Sequence, residues 1–144
     1  EYKNNITIYD FLEDSVVKEI EINEEILQLS SVKMSYAISK SDILMIEDDI
    51  HGGRLIHINL ESNNIIILSD TDEVITHCIK VEGYVNHFIT WTNEGIIKIW
   101  DMNKIECIVN YIFEGVCEIL QINKKNIIAV SKNGKHRVLS LENF

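Results

Sequence analysis

The stretch "TWTNEGIIKIWDMNKIECI", from Thr90 to Ile108, decides the fold class. A short polar turn that ends at Gly95 leads into a run of β-branched residues, and this run stops at Trp100 and Asp101. A second apolar run follows almost at once. Short apolar runs of this composition, separated by turn residues, are typical of adjacent strands in an antiparallel sheet. The stretch therefore predicts a hairpin turn and the two strands that follow it.

The same frame occurs four times in the chain. Each copy is an apolar run that ends with a larger apolar residue and closes with a small polar residue, and the copies are "NNITIYD" (closing at Asp10), "GRLIHIN" (Asn59), "GIIKIWD" (Asp101) and "GKHRVLS" (Ser140). Six residues before the close stands Asn4, Gly53, Gly95 or Gly134. Glycine and asparagine tolerate the positive φ that tight hairpin turns require. Closing positions 49, 42 and 39 residues apart indicate an internal repeat.

The remaining apolar runs complete a unit of four short strands in about 40 to 50 residues. After the first three closes we predict strands at Ser15–Ile22, Asn63–Ser69 and Ile105–Phe113. The next unit then begins with a strand at Glu25–Ser30, Val74–Val81 or Val116–Ile122. A further strand precedes each turn, at Ile43–Glu47, Asn86–Thr92 and Asn126–Ser131. Together with the four closing runs, these make thirteen predicted strands. A helix over Ser69–Val81 is the competing hypothesis, because acidic residues follow a capping residue there.

The polar segment Ser31–Asp42 interrupts this regularity. The distance from the start of the unit to its turn glycine is longer in this copy than in the two that follow. We expect the excess to form a long irregular loop in which amide exchange is fast.

The segments "NEGIIKIWD" and, more weakly, "NNITIYD" resemble the WD40-repeat β-propeller family. The resemblance implies four-stranded antiparallel blades set around a channel. It also implies structural roles for Trp100, Asp101, Tyr9, Asp10 and Gly95, and a buried hydrogen-bond network that joins Trp100 to Thr90 or Thr92. We therefore predict an all-β partial propeller of about three blades. Its parts are residues 1–22 (outer strands of a first blade), 23–70 (second blade), 71–113 (third blade) and 114–144 (most of a fourth blade).

No residue pattern identifies a catalytic or metal site. The three cysteines lack CxxC spacing, and the five histidines lack metal-ligand spacing. Alternation places His77 and Cys78 on opposite faces of a strand, although His87 could approach one of them. We interpret "HGG" at 51–53 as a turn and Trp91 as a core residue. We expect no cofactor, no metal and no enzymatic activity.

Charge is unevenly distributed. Residues 1–72 carry 5 basic and 15 acidic side chains, whereas residues 73–144 carry 8 of each. In the WD40 arrangement, the turns before the Trp-Asp strand and the connections between blades lie on one rim. The carboxylates of those segments are Glu24, Glu25, Asp48, Asp49, Asp70, Asp72, Glu73, Glu94 and Glu114. Two interpretations stay open, namely solvated loops and a binding rim for a basic segment.

Composition and the family resemblance together favour a protein-interaction scaffold. The partners would be other proteins, including a basic peptide segment; an acidic chain of this kind does not favour direct nucleic-acid binding, and no run approaches the ~20 apolar residues that span a membrane. Cysteine usage indicates an intracellular protein, cytoplasmic or nuclear. The alternatives are a structural propeller part of a larger trafficking, RNA-processing or ribosome-assembly protein and, more distantly, a propeller enzyme. Because about three blades do not close a usual ring, we expect more of the same chain or another chain to complete it.

Overall fold

The computed structural model describes residues 5–21, 32–47, 53–69 and 73–142. These residues form thirteen strands, and none of the described residues is in a helix. The strands are β1 (Asn5–Asp10), β2 (Ser15–Glu21), β3 (Val32–Ala37), β4 (Asp42–Glu47), β5 (Leu55–Asn59), β6 (Asn64–Ile67), β7 (Ile75–Lys80), β8 (His87–Thr92), β9 (Ile96–Asp101), β10 (Glu106–Ile112), β11 (Val116–Asn123), β12 (Asn126–Ser131) and β13 (His136–Ser140).

Consecutive strands pair antiparallel in four sheets. Sheet I contains β1 and β2, sheet II contains β3 to β6, sheet III contains β7 to β10 and sheet IV contains β11 to β13. None of the four sheets closes on itself, and within each sheet the spatial order of the strands follows the order of the chain. The all-β prediction is confirmed, and the segment Ile75–Lys80 is a strand rather than a helix. No helix long and apolar enough to span a membrane occurs in the part of the chain that the structure describes.

The prediction for Ser31–Asp42 was wrong, because Val32–Ala37 forms strand β3. Met34 pairs with Ile46 and Tyr36 with Leu44 of the neighbouring strand. Met34, Tyr36 and Ile38 alternate onto one face and pack against the core, while Lys33 and Ser35 point outward. The polar residues between them concealed this period of two. The strand predicted at Glu25–Ser30 lies outside the described residues.

The small polar residue that closes each repeat caps the turn after it. The Asp10 carboxylate accepts hydrogen bonds from the backbone N–H groups of Leu12 and Glu13 at 2.8 and 3.1 Å. The side chains of Asn59, Asp101 and Ser140 accept in the same way from the residue two positions ahead, at 3.1, 2.9 and 3.2 Å. Side chains of this size can bond to the backbone two residues on and so fix a turn. This turn-capping role explains why each repeat closes with a small polar residue.

Three apolar clusters join each sheet to the next. Ile56 and Ile58 of sheet II pack with Ile6 of sheet I. A second cluster joins sheets II and III and contains Leu44, Ile46, Leu55, Ile75, Cys78, Phe88, Trp100 and Met102. The third joins sheets III and IV and includes Ile89, Trp91, Ile97, Ile99, Ile119, Ile127 and Ala129. Alternation along β8 therefore sends Phe88 toward sheet II and Ile89 toward sheet IV.

Candidate interaction surface

One end of the sheets carries Gly53 and Arg54 before β5, the β8–β9 and β12–β13 turns, and the described parts of the connections into sheets III and IV. The carbonyl of Gly53 accepts a hydrogen bond from the N–H of Ile75 at 2.9 Å, and the carbonyl of Gly95 accepts one from Phe113 at 2.8 Å. Farther along, Gly115 accepts from Lys132 at 3.0 Å. Gly53 and the β8–β9 turn are thus each fastened to the connection that leads into the next sheet, and the β12–β13 turn is fastened to the connection that leads into its own sheet. We call this end of the molecule the turn end.

The two turn glycines are required for different reasons. At Gly95 φ is +94°, which L side chains rarely adopt, and a β-carbon there would overlap the carbonyl oxygen of Phe113. At Gly53 φ is not in the left-handed region. A β-carbon on Gly53 would instead overlap the carbonyl oxygen of Ile75. The expectation of a positive φ was therefore wrong at Gly53, where close backbone approach excludes a side chain.

Three of the nine carboxylates predicted for the acidic rim lie among the described residues. Glu94 and Glu114 are exposed at the turn end, and neither forms an ion pair with another described residue. Glu73 differs, because its side chain is only 8% exposed and pairs with the ammonium group of Lys98. Glu73 therefore adds no open negative charge to this surface. The other six, Glu24, Glu25, Asp48, Asp49, Asp70 and Asp72, lie outside the described residues.

A second buried carboxylate at this end is also neutralised. Arg54 donates from Nε to one oxygen of Glu47 at 3.2 Å and from its terminal nitrogen to the other at 2.6 Å. Glu47 is fully buried, so this two-point pair satisfies a charge that would otherwise be costly to bury. Glu47 was not among the predicted rim residues. Its partner Arg54 lies immediately after Gly53, which places the pair at the base of the β4–β5 turn.

Sequence reasoning missed a cluster of positive charge at the same end. Lys132 and Lys135 lie in the β12–β13 turn, Arg137 lies on β13, and all three are exposed. With Ile112, Phe113, Glu114, Gly115 and Asn133 they line a cleft of about 490 Å³, which we call the basic cleft. The two lysines form no ion pair with the described residues. The signal was available in "SKNGKHR", because this segment is the fourth copy of the same turn and belongs on the same rim.

The residues given structural roles by the family resemblance occupy defined positions. The indole N–H of Trp100 donates to the Thr90 hydroxyl at 2.9 Å, and both side chains are buried. Tyr9 is 40% exposed, and its hydroxyl donates to Asp14. Asp101 lies 4.0 Å from the His87 ring nitrogen Nε2, in addition to its turn-capping bond. Trp91 packs in the cluster between sheets III and IV, as expected for a core residue.

A polar network lies at the opposite end of sheet II, around Asp42. Ser39 donates to the carboxylate at 2.6 Å and Asn59 donates at 2.9 Å, while the ring nitrogen Nε2 of His57 lies 2.9 Å away. The Ser39 hydrogen bond, with those of Asn59 and His57, lowers the pKa of the Asp42 carboxyl against the opposing effect of burial. His57 is 4% exposed, and its Nδ1 atom has no hydrogen-bond partner. The network ties the start of β4 to the end of β5.

His77 and Cys78 point in opposite directions from β7. The His77 ring stacks on Trp91, with centroids 5.0 Å apart, and burial together with nearby Lys33 lowers its pKa. Cys78 is fully buried between sheets II and III, and burial raises the pKa of its thiol to about 12. Among the described residues, no three His, Cys, Asp or Glu side chains are grouped so that they could hold a metal ion. His51 and Gly52 lie outside the described residues.

Comparison with known proteins gives structural similarity alone. No family model and no curated protein matches the chain. The computationally designed Ika4 protein is 14% identical with a TM-score of 0.61, over 94% of this chain and 79% of that one. The computationally designed Ika8 protein is 15% identical with a TM-score of 0.63, over 98% of this chain and 41% of that one.

A third similar structure comes from a Saccharomyces cerevisiae complex of dbp5 with nup159, gle1, IP6 and ADP. Identity is 10% and the TM-score is 0.58, over 90% of this chain and 30% of that one. At these identities the likeness concerns the fold. It agrees with the all-β architecture of four successive antiparallel sheets.

Proposed function

We propose that the four sheets are blades of a WD40-like β-propeller and that the domain is a protein-interaction scaffold. The support for blades is the repeat itself, in which consecutive strands form a sheet and each sheet packs on the next. The Trp100–Thr90 hydrogen bond within the Trp-Asp unit adds to it, because that pair belongs to the network of the family. A propeller displays its turns and connections at its two ends, where partners bind.

The proposed binding surface is the turn end, and its partner is a basic protein segment. The observation that carries this choice is the pair Glu94 and Glu114. Both carboxylates are exposed beside turns that backbone hydrogen bonds fix in place, and neither forms an ion pair with another described residue. Because the loops are fixed, the spacing between the two carboxylates is constant. A partner with lysine or arginine at the matching spacing would bind more specifically and associate faster. The buried pairs Glu73–Lys98 and Glu47–Arg54 are structural in this proposal.

The test uses a fluorescent lysine-rich peptide as the probe and follows its binding by anisotropy. A glutamate-rich peptide of equal length is the first control. The Glu94→Lys, Glu114→Lys double variant should lose most of the affinity for the lysine-rich peptide. Binding to the wild-type chain should also weaken as salt is added, because exposed charges are screened beyond about 10 Å at 0.1 M.

A matched control separates local charge from net charge. The Glu61→Lys, Glu82→Lys variant has the same change in net charge, but these exposed residues lie in turns at the opposite end. Affinity of this variant should stay close to that of the wild type. An equal loss in both variants would show that the peptide responds to the overall field of the protein, and the proposed surface would be rejected.

A further inference from the structure

An exposed apolar pair stands at the turn between β1 and β2. Phe11 and Leu12 are 89% and 95% exposed. The turn is nevertheless ordered by the Asp10 carboxylate, which accepts the two backbone hydrogen bonds described above. The Tyr9 ring meets Phe11 edge-on at 5.5 Å. We call residues 10–14 the hairpin tip. The tip holds its apolar side chains out in water, which is unfavourable unless another surface covers them.

The charges around this pair restrict what could cover it. Asp10, Glu13 and Asp14 surround the two apolar residues, and none of the three forms an ion pair with the described residues. The complementary surface is therefore a hollow with an apolar floor and basic groups at its edge. A purely apolar groove would leave three carboxylates facing a medium of low dielectric constant without a positive charge beside them.

The basic cleft of this same chain has those properties. Its apolar part is Phe113 with Ile112, which is 73% exposed. Its basic part is Lys132, Lys135 and Arg137, and the guanidinium of Arg137 lies over the Phe113 ring at 5.9 Å. Glu114 also borders the cleft and leaves it an excess of positive charge. The volume of about 490 Å³ falls within the ~300–1,000 Å³ typical of ligand pockets.

The tip cannot fill the cleft of its own molecule. It belongs to sheet I, which packs on sheet II, whereas the cleft lies at sheets III and IV. It also projects at the end opposite the turn end. We propose that the hairpin tip of one copy inserts into the basic cleft of a second copy, with Phe11 and Leu12 on the apolar floor and the carboxylates among the lysines. The tip lies in the acidic first half of the chain and the cleft lies in the second half, which has no net charge. The contact therefore joins the first half of one copy to the second half of the other.

The experiment measures the mass of the chain by light scattering over a range of concentrations, at low and high salt. Wild type should associate as concentration rises, and added salt should weaken the association because the charged contacts are exposed. The tip variant Phe11→Ser, Leu12→Ser and the cleft variant Lys132→Glu, Lys135→Glu should each remain monomeric at concentrations at which wild type associates. Thermal melts of both variants check that they are folded.

Mixing the two variants provides the decisive result. The tip variant keeps an intact cleft and the cleft variant keeps an intact tip, so the mixture should form a one-to-one complex although neither variant associates alone. A mixture that stays monomeric would overturn the proposal. So would a wild type that is monomeric throughout, or variants that associate as wild type does, since the last result would place the contact elsewhere, such as the open edge of β13.

Discussion

The carbonyl oxygen of Phe113 occupies the space in which a side chain on Gly95 would have to begin. The same two residues share a backbone hydrogen bond of 2.8 Å, and a β-carbon on Gly95 would also lie 2.9 Å from the Cα of Glu114. Sheet III is thus fastened to the connection into sheet IV by a contact of backbone on backbone. Neither partner can move aside without breaking this hydrogen bond.

Gly95→Ala should destabilise the protein more than Gly134→Ala does. Gly134 also has a positive φ, +82°, but nothing lies within 4 Å of a β-carbon placed there. Gly134→Ala should therefore cost only the strain of the left-handed conformation, about 1–2 kcal/mol. Gly95→Ala adds the steric conflict with Phe113. Urea denaturation of both variants measures the difference, and equal losses would show that the close approach at Gly95 is unimportant.

Trp100 and Thr90 should be energetically coupled. Trp100→Ala should lower the free energy of unfolding by about 3–5 kcal/mol, because it empties part of the cluster between sheets II and III. Thr90→Val keeps the shape but leaves the buried indole N–H without an acceptor, at a cost of about 1–3 kcal/mol. In a Trp100→Phe background the same Thr90→Val change should cost less. A double-mutant cycle with additive effects would contradict the coupling.

Stability should fall in acid partly through Asp42. Its pKa is lower in the folded chain than in the unfolded chain, chiefly because of the Ser39 hydrogen bond. The unfolded state therefore takes up a proton first. The resulting stabilisation is fully present at a pH above the pKa of the unfolded state, about 3.9. It is lost as the pH falls below that value toward the lower pKa of the folded state. Asp42→Asn should show a smaller loss of stability between about pH 5 and about pH 3 than wild type. Glu61→Gln, at an exposed position, is the control.

The three cysteines should differ in reactivity. Cys107 and Cys117 are exposed, whereas Cys78 is fully buried and burial raises its pKa to about 12. Reaction requires both access and the thiolate. A disulfide reagent should therefore modify two thiols per native chain, and the third only after unfolding. Rapid reaction of all three in the native protein would indicate that sheets II and III separate easily.

Strand β3 gives a prediction opposite to the one that its sequence suggested. Because Val32–Ala37 pairs with β4, amide exchange there should be slowed at the residues whose N–H groups point toward β4. The exposed turn Lys104–Ile105 supplies the comparison for fast exchange. Uniformly fast exchange across Val32–Ala37 would restore the loop interpretation. The measurement is hydrogen exchange followed residue by residue.

The sequence predicted most strands because alternation and turn residues are local signals. β3 was missed because Lys33, Ser35 and the serines after them made an alternating segment look like a loop. Gly53 was predicted to be a turn glycine, but its requirement comes from Ile75 in the next sheet. The pair Glu73–Lys98 joins residues 25 positions apart, so only the packing of the connection on β9 brings them together. The basic cluster in the β12–β13 turn could have been predicted from the sequence, because this turn has the same position in the repeat as the other turns of the rim.

The apolar clusters have a consequence for how the molecule opens. Within the described residues they join sheet I to II, II to III and III to IV, so each sheet depends on its neighbours along the chain. Stability in such an array is close to a sum of the intrinsic terms of the units and the terms of nearest-neighbour interfaces. In the part of the chain that the structure describes, sheet I has two strands and one interface, so it should detach before the others. Sheets II and III are both held on two faces, but sheet III shares the two larger clusters, so it should be the last to unfold and the place where refolding nucleates.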